Sequence, residues 1–66
     1  MYNIKNQNGI YYLRHNETNV LANTDKWEFI YKLVRYINPT LSMADKISYS
    51  LFIGDYETTN ELINLK

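Results

Sequence analysis

Apolar and polar positions alternate at the start of the chain, in Tyr2-Asn3-Ile4-Lys5 and again around Ile10-Tyr11-Tyr12-Leu13-Arg14, with Asn8-Gly9 between the two runs. Asn-Gly accommodates the two positive φ angles of a type I′ turn, and its flanks are rich in β-formers. The pattern predicts a hairpin over roughly residues 2 to 14. Side chains on a strand alternate between faces, so Ile10, Tyr12 and Arg14 share one face and Tyr11 and Leu13 the other. Both faces carry bulky apolar groups. Helices from so short a chain cover only one of them, so one of the sets Ile10/Tyr12 and Tyr11/Leu13 is expected to stay partly exposed.

His15-Asn16-Glu17-Thr18-Asn19 reads as a polar loop, and Val20-Leu21-Ala22 as a short apolar return able to add a third strand. Asn23, Thr24 and Asp25 are successive N-cap candidates. Asp25, with Glu28 three residues on, has the form of a capping box. A helix is predicted over about 25–38. Its apolar positions Trp27, Ile30, Tyr31, Val34 and Ile37 follow the i, i+3, i+4, i+7 series, and Phe29, Leu33 and Tyr36 widen the stripe past half the circumference. Glu28, Lys32 and Arg35 are left for a wet strip, and Trp27 is expected in the core.

Asn38-Pro39-Thr40 ends this helix, because the residue before proline is pushed out of the α region and the ring carries no N–H. The next stretch carries two periodicities. Ile47, Tyr49, Leu51 and Ile53 alternate as a strand would, whereas Met43, Ile47 and Leu51 repeat every four residues as in a helix. Ser42 as N-cap, Asp45 three residues on and Gly54 as a stop favour the helix. A last short helix begins near Asp55. Phe52-Ile53-Gly54-Asp55-Tyr56-Glu57 resembles the inter-helix turn of tetratricopeptide helical hairpins over that one turn, which implies an antiparallel pair of helices across residues 42–65. The expected fold is therefore α+β, a single ββααα domain in which the hairpin packs on the central helix and a helical hairpin follows.

Composition narrows what this fold does. A chain of 66 residues is near the lower limit for unaided folding. With no cysteine and one histidine, neither disulfides nor a structural zinc are expected to staple it. Packing must suffice, and 45% hydrophobic and 15% aromatic residues supply it. No apolar run reaches the length of a membrane span, and no basic start leads into a secretory stretch, so the expected compartment is the cytoplasm. Seven basic and seven acidic side chains cancel, which gives no global attraction to nucleic acid or an anionic membrane.

Catalysis is poorly supplied. His15 is the only histidine, there is no thiol, and the two glycines build no phosphate loop. No enzyme activity, cofactor or metal is expected. Asp55, Glu57 and Glu61 read as residues complementing a helix N-terminus. The surplus is aromatic. Tyr and Trp dominate interface hot spots, so the chain is expected to be a protein-binding accessory module, an inhibitor or adaptor, with a homodimer as one form its aromatic face allows. Tyr2, Tyr11, Tyr12 and Arg14 of the hairpin are its candidate contact residues. Enrichment in Asn, Ile, Lys and Tyr is the compositional mark of an AT-rich genome, in keeping with a phage or mobile-element origin. The alternative is a small DNA-binding regulator using the aromatic and basic hairpin.

Overall fold

The computed structural model describes residues 1–65; Lys66 lies outside the described residues. Three strands, β1 (Tyr2–Gln7), β2 (Ile10–His15) and β3 (Thr18–Asn23), form an antiparallel meander in the order β1-β2-β3. Three helices follow: α1 (Lys26–Ile37), α2 (Leu41–Phe52) and α3 (Tyr56–Ile63). The fold is α+β with the element order βββααα, so the apolar return at Val20-Leu21-Ala22 is a full third strand of the sheet.

Asn8 and Gly9 make the first turn with φ of 55° and 79°. The second turn is tighter than a polar loop over 15–19. His15 pairs with Thr18, and only Asn16 and Glu17 lie between, at φ of 52° and 72°. Asn visits the left-handed region readily, whereas Glu17 is held there against the usual side-chain penalty. A register shift opposite Leu13/Arg14 then inserts one residue into β3. Through this bulge the consecutive side chains of Val20 and Leu21 both pack against the core.

The register Tyr2↔His15, Ile4↔Leu13 and Asn6↔Tyr11 puts these residues on the sheet face toward the helices. Ile4 and Leu13 there meet Phe29, Ile30 and Leu33 of α1, Ile47 and Leu51 of α2 and Ile63 of α3 in one buried cluster. Tyr11 stacks on Phe29 with ring centroids 5.6 Å apart. Each such side chain contributes roughly 1.5–3 kcal/mol by leaving water.

Helix ends follow their caps. The Asp25 carboxylate accepts from the Glu28 N–H at 3.2 Å, while the Glu28 carboxylate takes the Asn23 amide instead of closing a capping box. Asn38, in the left-handed conformation ahead of Pro39, ends α1. α2 is capped by Thr40, two residues before the expected Ser42, with the Thr40 hydroxyl accepting from the Met43 N–H at 3.3 Å. Gly54 at φ 82° turns the chain into Asp55, which caps α3. Residues 47–52, with their double periodicity, are therefore helical. Among the described residues no helix is long and apolar enough to cross a membrane.

One correction concerns Trp27. It is 64% exposed rather than a core residue. The stripe of α1 spans more than one face, and the arc turned to the sheet is Phe29, Ile30 and Leu33. That leaves Trp27 and Tyr31, one turn apart, on the flank.

Candidate functional site

The four hairpin candidates divide between the two sheet faces. Tyr2 and Tyr11 face the helices. Tyr2 stacks on His15 at 4.4 Å and meets Tyr36 edge-on at 6.1 Å. Burial, reinforced by the neighbouring Tyr56 hydroxyl, raises the Tyr11 phenol above its ordinary pKa. Tyr12 and Arg14 lie on the outer face, which no helix covers. Asn3, Lys5 and Gln7 share it through the pairs Asn3↔Arg14, Lys5↔Tyr12 and Gln7↔Ile10. The Lys5 ammonium lies 5.9 Å from the centroid of the Tyr12 ring, and the Arg14 guanidinium donates to the Glu17 carbonyl at 3.2 Å. Of the two sets Ile10/Tyr12 and Tyr11/Leu13, the first thus lies on the uncovered face, where both of its side chains are half-buried.

A larger apolar surface stands on the helices. On α1 it comprises Trp27 and Tyr31; on α2 and its C-cap, Tyr49, Phe52 and Ile53, at i, i+3 and i+4, are neighbours on the helix surface. The Trp27 and Phe52 rings meet with centroids 5.0 Å apart and join the two strips into one ridge. Trp27, Tyr31, Tyr49 and Ile53 are each more than half exposed, Tyr49 at 67%. Two cations are fixed along it. The Lys26 ammonium sits 5.2 Å from the Phe52 centroid and donates to the Phe52 carbonyl at 3.1 Å. The Arg35 guanidinium lies 5.5 Å from the Tyr31 centroid and donates to its hydroxyl at 2.8 Å.

No family model, curated protein or solved structure matches this chain. What it does must be read from its own surfaces.

An open cleft of about 510 Å3 lies where Tyr2, His15, Ile37, Ile63 and Asn64 converge. His15 is the one imidazole in it, stacked against Tyr2, and the described lining carries no carboxylate, serine or threonine. No group of three potential metal-binding side chains occurs among the described residues. The Asp55 carboxylate accepts from the Thr58 hydroxyl and N–H, which hold its pKa below the ordinary 3.8; it caps α3.

Two features of the structure have no distinct signal in the sequence. The ridge was hidden because Trp27 and Tyr31 fit the helical stripe as well as the true core residues do. The other is a pair of amides. Asn60 on α3 and Asn64 at its C-cap, one turn apart, bond the free edge of β1: the Ile4 N–H donates to Asn60 at 2.6 Å and the Tyr2 N–H to Asn64 at 2.8 Å. The Asn64 amide donates back to the Tyr2 carbonyl at 2.8 Å. In effect α3 supplies hydrogen bonds where a fourth strand would. An Asn pair at helical spacing otherwise looks like a solvated face.

Proposed function

We propose that this chain is a small non-catalytic protein-binding module that works in the cytoplasm as an inhibitor or adaptor of a larger protein, with the α1–α2 ridge as its contact surface. The observation that carries this reading is the contiguous exposure of Trp27, Tyr31, Tyr49, Phe52 and Ile53. Aromatic clusters of this kind are the usual hot spots of interfaces, and large exposed apolar patches mark interaction sites. The occupant that fits best is an amphipathic helix. The apolar face of such a helix lies along the ridge, and carboxylates flanking its apolar stripe find Lys26 and Arg35 already held over rings beside it. The AT-rich composition favours a phage or mobile-element accessory protein as the setting.

Trp27→Ser and Tyr49→Ser test this. Both side chains lie outside the core, so each variant is expected to melt close to the wild type. Capture of partner proteins by the tagged chain at high salt is expected to fall with both variants and to persist with Arg14→Glu. Capture that ignores both ridge substitutions overturns the assignment. Sedimentation of the purified chain distinguishes the other occupant: a dimer that Trp27→Ser converts to monomer makes the ridge a self-association surface.

A further inference from the structure

The outer face of the sheet differs in chemistry from the ridge. Its centre is Tyr12, half-buried, with Lys5 directly opposite on β1 and Arg14 at the next same-face position of β2, about 7 Å along the strand; both cations are half-buried too. Amide side chains flank this group: Gln7 on β1 and Asn19, which pairs with Arg14, on β3; Asn3 shares the face, but its side-chain oxygen accepts from the Asn60 amide at 3.1 Å. The face carries no carboxylate. Asp25, Glu28, Asp45, Asp55, Glu57 and Glu61 all stand on helices or their caps, and Glu17 sits in the turn at the sheet's end. A chain of zero formal net charge therefore presents a sheet face with two cations and no acidic side chain.

We propose that this face is a second binding surface, for single-stranded nucleic acid. It is separate from the ridge and does not depend on the protein-binding reading. An unpaired base stacks on the Tyr12 ring, Lys5 and Arg14 take the flanking phosphates, and the amides meet base edges. Charge excludes a basic partner. A duplex offers no base face to the ring, and an acidic peptide would leave both the ring and the amides unused. The binding is weak, because only two cations contact phosphate. With a slope near −0.7 per contact on single strands, affinity falls by about sevenfold for a fourfold rise in salt.

The test is fluorescence anisotropy with short mixed-sequence single-stranded DNA and RNA oligonucleotides. Saturable binding is expected with about that salt dependence. It is expected to be lost in Arg14→Glu and Tyr12→Ser, and retained in Tyr12→Phe and Trp27→Ser. Lys5→Glu provides a second charge reversal should Arg14→Glu fail to fold. Absence of saturation at about 0.1 mM protein in low salt overturns the proposal, since even non-specific binders saturate near that range. Binding that survives both Arg14→Glu and Lys5→Glu overturns it too. So does equal binding of duplex DNA, or equal competition by polyglutamate.

Discussion

Replacing Asn60 by Ala removes the amide that α3 lays against β1. Ile4 is 2% exposed, so its N–H, which donates to Asn60 at 2.6 Å, has little access to water once the amide is gone. An unpaired buried donor costs about 1–3 kcal/mol. The weaker bonds from the Asn60 amide to Asn3 and to the Ile4 carbonyl, at 3.1 and 3.4 Å, are lost as well. Alanine's better helix propensity returns roughly 0.5 kcal/mol. The net loss of about 1–2 kcal/mol is a large share of the roughly 3–10 kcal/mol expected for a domain of this size. The melting temperature should fall by roughly 5–15 °C. Circular dichroism melts and native-state hydrogen exchange check this, with the exposed neighbour Glu61→Ala as control. The Ile4 amide should exchange faster while Leu13, between two strands, keeps its protection relative to global unfolding. Equal melting shifts for the two variants, or an unchanged Ile4 amide, would show that the Asn60 bonds to β1 contribute nothing.

Phe29→Ala, which empties the site stacked under Tyr11, should cost about 3–5 kcal/mol and unfold much of the population, as urea titration would show. Glu17→Gly should stabilise the chain by up to about 1 kcal/mol, because it relieves a side chain held at φ 72°; an unchanged or lower melting temperature would contradict this. Asp55 has a folded pKa below the ordinary 3.8, so its contribution is fully present above that value and is lost as pH falls through the lower one. The stability gap between wild type and Asp55→Ala should therefore narrow in acid, and a gap that stays constant down to the acid transition would refute the capping role.

The parts of the fold legible in the sequence were those set by local chemistry. Asn8-Gly9 admits one kind of turn, Asp25 one helix start, Pro39 and Gly54 two stops, and the period-four series Met43, Ile47, Leu51 proved the true one for α2. What escaped was set by tertiary choice. β3 lacked clean alternation because its bulge turns Val20 and Leu21 to the same side. The stripe of α1 was broad enough that several rotations of the helix satisfied it, so Trp27 and Phe29 were interchangeable until the sheet fixed the angle. For the candidate surfaces, the alternation along the hairpin implies that one face stays open but not which one; the helices pack on the Tyr11/Leu13 side and leave Tyr12 and Arg14 on the other. The ridge depends on α2 passing beside α1, which no local pattern encodes.

The bonds between β1 and α3 also set a timetable for synthesis. The bond from Tyr2 to Asn64 joins residues 62 positions apart, and that from Ile4 to Asn60 joins residues 56 apart. The first two strands can pair within microseconds of leaving the ribosome. Translation at about 5–20 residues per second then leaves roughly 2–10 s before Asn64 emerges. Throughout that interval the outer edge of β1 is an unpaired template, open to edge-to-edge pairing with another nascent chain. Lys5, a charge in the middle of that strand, is the one local guard. A truncation ahead of Asn60 makes the interval permanent, so shortened chains should accumulate as aggregates even though the whole sheet sequence is intact.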